Sequence, residues 1–289
     1  YLEDQAAFAD VLTDKSGPVM TGYSELDELL GGIQRSDLVI LGARPSLGKS
    51  ALALNASVNA AKNGSTVGVF SLEMSRDQLA MRILSAEAEI DSHRLRLGLL
   101  TDAQSDRITD AIGRLSDLPV YIDDTPSQSM IEMRSKARRL SLEHGLDLLV
   151  VDYLQLIQGR SGRSDNRVQE ISEISRSLKI MALGVYIALF ICSQLSRPVE
   201  QRPSHRPMLS DLRDSGSIEQ DADVVMFLHR DDLYMDEDEW ARQFPGRAYP
   251  RNIADLIVAK HRNGPTGTVQ LYFRDNWVRF DSYRQVDEF

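Results

Sequence analysis

The order of apolar runs predicts an α/β fold: a mostly parallel central sheet with helices on both faces and an antiparallel extension near the carboxyl end. Three observations carry this reading. Six short aliphatic runs, at 37–41, 66–71, 120–123, 148–152, 187–192 and 224–229, have the length and composition of strands. Stretches with helical spacing separate most of them, and crossovers of that kind give parallel strands covered on both sides. Late in the chain the pattern changes. The runs 253–260, 268–273 and 277–281 are joined by short turns such as Asn263-Gly264-Pro265, which suits antiparallel neighbours.

The intervening helices follow from periodicity and end signals. Residues 49–62 are rich in alanine and stop at Asn63-Gly64, a sequence that favours helix termination. Residues 75–86 open on a serine cap, and 101–115 and 130–144 repeat apolar residues at helical intervals. Val168, Ile171, Ile174, Leu178 and Met181 fall on one face of a further helix. Residues 230–250, with an acidic stretch at 236–239, read as a solvated surface loop. Residues 1–17 read as a linker with its own short helix, 18–283 as the main domain and 284–289 as a frayed tail. The chain opens on Tyr1 within an amphipathic pattern, so it is read as a fragment or processed product with sequence missing upstream.

Of 289 residues, 42% are hydrophobic and 26% charged, enough apolar mass for one large core. A formal net charge of −10 argues against non-specific nucleic-acid or membrane binding, although local patches can differ from the mean. The single cysteine, Cys192, excludes an internal disulfide and a cysteine-rich zinc site. Its apolar surroundings mark it as a buried small hydrophobe, and a cytoplasmic setting is expected. The longest apolar run, 180–192, is shorter than the roughly 20 residues of a membrane span, so no membrane partner is expected.

Residues 43–50, ARPSLGKS, follow the 37–41 strand and open a helix. This is the setting of a phosphate-binding loop, whose usual pattern is G-x-x-x-x-G-K-[ST]. Ala43 stands at the first glycine position, with Gly42 one residue earlier. Ala43, Arg44, Pro45, Ser46, Leu47, Gly48, Lys49 and Ser50 form the predicted cradle for ATP. Successive backbone N–H groups wrap the phosphates. Gly48 permits close approach, Lys49 supplies a cation, Ser50 offers a hydroxyl to Mg²⁺, and the helix aims its positive end at the anion.

Such a loop needs an acid at a strand end to complete the Mg²⁺ shell. Asp152, after Leu148-Leu149-Val150-Val151, meets that need. The next residue is Tyr153, so the group that activates water must lie elsewhere. Glu73 ends the 66–71 strand region, which is expected beside the loop strand. It is the candidate for polarising the attacking water, with capping of the following helix as its alternative role. Gln194 follows the apolar strand 187–192 and faces the same crevice. It is a candidate contact for the γ-phosphate, with plain loop polarity as the alternative.

Taken together, the motifs resemble one family. Thr21-Gly22, Leu26-Asp27 and Leu29-Leu30-Gly31-Gly32 are similar to the opening segment of RecA-like P-loop ATPases. Residues 42–50, Ser71-Leu72-Glu73-Met74, Val151-Asp152-Tyr153-Leu154-Gln155, Ser193-Gln194-Leu195-Ser196-Arg197, 211–223 (DLRDSGSIEQDAD) and 260–265 (KHRNGP) resemble the motor domain of DnaB-type replicative DNA helicases. The resemblance runs from about residue 17 to residue 281. It implies a RecA-like motor that hydrolyses ATP with Mg²⁺ at the interfaces of a hexameric ring around single-stranded DNA. It assigns Lys49, Ser50 and Asp152 to phosphate and metal, Glu73 to water activation and Gln194 to sensing. Lys260 and Arg262 match a pair that reaches into the neighbouring subunit's ATP site, Arg262 as the arginine finger. They flank His261 at a strand end and so point the same way; a solvated basic strand end is the alternative. Primase and a helicase loader are expected partners through the family's amino-terminal domain, which lies outside this sequence.

Two loops suit a nucleic-acid backbone. Residues 159–167 carry Arg160, Arg163 and Arg167 among glycine and serine, and taken alone they also suit a mobile surface loop. Arg213, Asp214 and Gly216 match the family's DNA-binding segment. Such loops track phosphates without reading sequence, and they hold no aromatic residue for base stacking. One departure from the family is the apolar stretch 180–190, read as tighter core packing or an unusual subunit contact. Two other readings share the nucleotide residues: a recombinase-like or repair ATPase without processive unwinding, and a nucleotide-gated regulatory assembly.

Overall fold

A strand buried on both faces has no use for polar alternation, and the four central runs of this chain have none. They form β1 (Leu38–Ala43), β2 (Val67–Ser71), β4 (Leu148–Asp152) and β6 (Val224–His229), each buried along its whole length. The computed structural model describes residues 17–159, 167–202, 204–212 and 216–283. The predicted linker 1–17, apart from Gly17, and the predicted tail 284–289 lie outside them. Five further strands complete one sheet: β3 (Val120–Asp123), β5 (Ala188–Gln194), β7 (Ile253–His261), β8 (Gly267–Arg274) and β9 (Arg279–Ser282).

The spatial order is β3-β2-β4-β5-β1-β6-β7-β8-β9. The first six are parallel and the last three antiparallel, as the sequence pattern predicts. One expectation fails. β2 pairs with β3 and β4, whereas β1 pairs with β5 and β6. The strand that precedes Glu73 is therefore separated from the loop strand by β4 and β5. Strand order depends on which crossover packs where, and no single run of residues records it.

The described helices are α1 (Ser24–Leu30), α2 (Lys49–Lys62), α3 (Arg76–Ala88), α4 (Ser92–Leu97), α5 (Asp102–Ser116), α6 (Met130–His144), α7 (Arg167–Val185), α8 (Gly216–Asp221) and α9 (Glu237–Gln243). α3, α5, α6 and α9 each begin with a reciprocal capping box: Ser75 with Gln78, Thr101 with Gln104, Ser129 with Glu132, and Asp236 with Glu239. Each box satisfies two backbone donors that the first turn otherwise leaves unpaired. The acidic stretch expected in a loop is thus the start of α9, where carboxylates favour the positive end of the dipole.

The period of two along β1 divides the core. Val39 and Leu41 face a cluster with Leu52 and Leu54 of α2. Leu38 and Ile40 face Met133 and Ala137 of α6 and Ile171, Ile174, Leu178 and Met181 of α7. Val168, expected on that buried face, is 45% exposed, because it stands in the first turn before the helix reaches the sheet. Small residues let α2 lie close to the sheet. Its Asn55 side chain accepts the Phe280 N–H at 2.9 Å, which ties β9 to the helix behind the phosphate loop. The 180–190 stretch divides in two. Ile187 to Phe190 are buried, whereas Ile180, Leu183 and Tyr186 are about half exposed. The helix ends at Val185, and Tyr186 makes the turn with φ at +59°.

Candidate functional site

All six parallel strands open at one end of the sheet, and the predicted nucleotide residues gather there. β1 delivers the chain into the loop. Ser46 and Gly48 both take positive φ, at +68° and +101°, with Leu47 between them. Left-handed residues in this pattern curl the backbone so that successive N–H groups face inward as an anion nest. A non-glycine residue in this conformation is uncommon. α2 then begins at Lys49, and its first-turn donors and positive dipole end are presented to the same space. Gly48 is required sterically as well: a Cβ there meets Phe280 Cζ at 2.8 Å. Gly42 is a packing glycine, since a Cβ on it meets Leu195 and Phe227 atoms at 2.8 Å.

The loop bounds a cleft of about 650 Å³ lined by Ala43, Arg44, Pro45, Ser46, Gly48, Lys49 and Ser50, with Glu73, Tyr153 and Gln194 opposite. Two loop side chains turn away. Leu47 is buried in the core. Arg44 bonds to Glu200 at 2.9 Å and to the Leu195 carbonyl at 2.8 Å. Lys49 Nζ lies 3.7 Å from Asp152 Oδ1 and 4.5 Å from the Tyr153 ring centroid. Burial, with the nearby Glu73 and Asp152 charges, pushes the Tyr153 phenol above its ordinary range.

Asp152 is 7% exposed, and its Oδ1 has no hydrogen-bond partner. A buried carboxylate oxygen that accepts no hydrogen bond is costly, and the lysine at 3.7 Å offsets only part of that cost. Beside Lys49, it fits a small hard cation that takes oxygen ligands and keeps water and phosphate in its shell. Among the described residues no three His, Cys, Asp or Glu side chains form a metal cage, so phosphate oxygens are needed to complete such a shell.

Glu73 reaches the cleft although β2 is not beside β1. The Leu72 N–H bonds to the Asp152 carbonyl at 2.8 Å, which fixes the end of β2 against the end of β4. The capping alternative does not apply, because Ser75 and Gln78 cap α3. Gln194 is pinned through its backbone: its N–H bonds to Gln155 Oε1 and its carbonyl accepts from Gln155 Nε2, each at 3.1 Å. It borders both the cleft and a second cavity of about 280 Å³ that includes Arg44, Arg167 and Arg197. Arg167 bonds to the Gln155 carbonyl and to Glu170, each at 2.6 Å. A continuous contact chain thus runs from Gln194 through Gln155 to the start of α7.

Sequence reasoning missed the outer wall. Gln78 and Arg82 of α3, with Phe273 and Val278 from the β8–β9 region, line the cleft beyond the loop. They come from segments about 200 residues apart in a sheet whose order the sequence does not reveal, and no local motif marks them.

Lys260 and Arg262 lie at the opposite end of the sheet. β7 is antiparallel, so His261 pairs with Val224 at the start of β6. The six residues of β1, at about 3.3 Å each, separate that end from the loop by nearly 20 Å, further than an arginine side chain reaches. Both cations cap the short helix α8. Lys260 Nζ bonds to the Glu219 and Ala222 carbonyls at 2.5 and 2.7 Å, and Arg262 bonds to the Gln220 carbonyl at 2.9 Å. Burial and the neighbouring Arg262 hold Lys260 below the ordinary lysine range, against the pull of Asp223, Glu219 and Asp221. Of the predicted DNA-binding residues, Arg167 and Gly216 open α7 and α8. Arg160, Arg163, Arg213 and Asp214 lie outside the described residues.

Comparison with known proteins shows the family and the fold. The family model for the DnaB-like helicase C-terminal domain matches residues 18–282. The replicative DNA helicase DnaB of Geobacillus stearothermophilus is 49% identical over 284 residues, covering 96% of this chain and 60% of that protein. The replicative DNA helicase DnaC of Bacillus subtilis (strain 168) is 50% identical over 263 residues, covering 91% and 56%. This chain therefore spans 60% or less of the length of these two relatives. A solved structure described as an ATPase domain superposes with a TM-score of 0.87 at 35% identity, covering 98% of each chain. A DnaB-like replicative helicase, solved in a study of its interactions with primase, gives 0.86 at 35% identity over 96% of this chain and 67% of that one.

Proposed function

The chain belongs to the DnaB-like helicase C-terminal domain family, and on that premise we propose that residues 18–283 are the ATP-driven motor of a replicative DNA helicase. One observation supports this most strongly. The cleft gathers loop, lysine and the Glu73 carboxylate, with the strand-end acid Asp152 buried 3.7 Å behind the lysine, while the matching arginine lies at the far end of the sheet. A site that is complete but for a cation, on a subunit carrying that cation where it cannot serve itself, suits a ring in which neighbours share each site.

In this reading the nest of N–H groups and Lys49 hold the β- and γ-phosphates of ATP, and the base end rests against Arg82, Gln78, Phe273 and Val278. Ser50 and Asp152 hold Mg²⁺, which when bound supplies positive charge to the phosphate oxygens. Glu73 orients the attacking water and accepts its proton. Arg262 of a neighbouring copy stabilises charge on the transferred phosphoryl group, with Lys260 beside it. Gln194 contacts the γ-phosphate and passes its loss through Gln155 to Arg167. That residue, with Arg160, Arg163, Arg213, Asp214 and Gly216, faces single-stranded DNA in the channel of a hexamer. Concentrating these arginines in one channel offsets the net negative charge locally. Contacts with primase and a loader, and a cytoplasmic setting, go with this reading; among the described residues no helix is long and apolar enough to cross a membrane.

A forked-duplex displacement assay with the full-length protein tests the proposal. ATP-dependent strand separation, and turnover stimulated by single-stranded DNA, are expected. Stimulated turnover without displacement favours a recombinase-like or repair ATPase, and turnover indifferent to DNA favours a regulatory assembly.

A further inference from the structure

Asp223 stands at the foot of the sheet between α8 and β6, with 4% of its surface exposed. Its Oδ2 accepts the Leu38 N–H at 2.8 Å and the Lys179 ammonium at 2.5 Å. Its Oδ1 lies 3.3 Å from an Arg262 guanidinium nitrogen, and its backbone carbonyl accepts the Arg262 N–H at 2.8 Å. The Gln220 carbonyl holds a second guanidinium nitrogen. Arg262 is therefore gripped along one edge while 48% of its side chain stays exposed.

The two halves of this cluster have different jobs. A carboxylate this deeply buried is costly unless paired, and the β1 backbone and Lys179 of α7 pair it without help from Arg262. That makes Asp223 a fixed anion. A free arginine side chain samples many rotamers, and the fixed anion presents its exposed edge in one orientation. We infer that Asp223 is the positioning residue for Arg262, holding the guanidinium ready for a neighbouring copy's nucleotide cleft. The inference rests on the shared-site reading above.

Asp223→Asn keeps the side-chain shape and the acceptor for Leu38 but removes the charge that holds Arg262 and pairs Lys179. In the full-length protein, steady-state turnover with single-stranded DNA is expected to fall about 10- to 100-fold, the scale of a misplaced reacting group. KM for ATP is expected to stay within about twofold, because the variant's own cleft is untouched. The discriminating measurement is subunit mixing. Asp223→Asn and Lys49→Ala proteins are each nearly inactive alone. Mixed rings regain turnover, because a Lys49→Ala subunit lends an intact, well-placed Arg262 to the intact cleft of an Asp223→Asn neighbour.

Arg262→Ala mixed with Lys49→Ala is the control. No recovery there overturns the shared-site reading itself. Recovery there without recovery for Asp223→Asn overturns the positioning role, since a defect in the variant's own fold or cleft is not cured by a neighbour. Full turnover of Asp223→Asn alone overturns it too. If that variant fails to assemble, Asp223→Glu, which keeps the charge and moves it by one methylene, goes through the same mixture with the same two decisive results.

Discussion

Replacing Glu73 by glutamine separates the chemistry of the cleft from its architecture. The Glu73 side chain is exposed at the cleft wall, and its neighbours Leu72 and Ser75 carry the local hydrogen bonds to Asp152 and Gln78. An isosteric change at such a surface position alters stability by about 0.5 kcal/mol or less. In the proposed site the loop backbone and Lys49 hold the phosphates, so nucleotide affinity is expected to change little. Removal of a positioned proton acceptor lowers a rate by about 10²- to 10⁴-fold, which is about 2.7–5.4 kcal/mol of barrier at 1.36 kcal/mol per decade. Thermal melting, fluorescent-nucleotide titration and single-turnover hydrolysis measure the three quantities on one preparation. Unchanged melting and affinity with the predicted loss of rate is the expected outcome. A rate within threefold of wild type refutes the assignment and sends the search for a base elsewhere in the cleft.

Three other substitutions test the architecture. Gly48→Ala forces an L side chain to φ +101° with its Cβ 2.8 Å from Phe280; the backbone costs about 1–2 kcal/mol and the overpacking about 1–3 kcal/mol. Phe280 cannot easily retreat, because it packs on Phe273 and its N–H is tied to Asn55, so denaturant melts should show about 2–5 kcal/mol of lost stability. Lys49→Ala should abolish nucleotide binding or turnover; retained affinity together with retained turnover refutes the loop assignment. Burial alone raises the Glu87 carboxyl, but hydrogen bonds and charge from Lys62 and Arg114 outweigh it and hold the group below its ordinary 4.5. Its stabilising effect is therefore present above about pH 4.5 and lost as pH falls through the lowered value. Glu87→Gln should cost about 1 kcal/mol at pH 7, a figure kept small by the half-exposed partners, and a cost that persists unchanged to pH 3 contradicts the linkage.

Much of the site could be read from the chain because its chemistry is local. Gly48-Lys49-Ser50 after a buried strand, and Asp152 closing four aliphatics, are contiguous, and backbone geometry alone brings their parts together. The sheet order was not legible, since β4 and β5 intervene between β1 and β2 through packing choices spread over the fold. Gln78, Arg82, Phe273 and Val278 share one cleft wall for the same reason. α8 spans six residues and α9 seven, too short for a helical period to declare itself. The fastening of Lys260 and Arg262 to α8 was hidden too, because their acceptors are main-chain carbonyls that any sequence carries.

Arg262 caps α8 in its own subunit and, in the proposed ring, serves the cleft of the next. The measurement is nucleotide affinity and turnover of Arg262→Ala in the assembled, DNA-bound protein. The predicted result is affinity within about twofold of wild type and turnover reduced about a thousandfold or more, the scale of an arginine finger. Wild-type turnover in assembled Arg262→Ala protein contradicts the shared site.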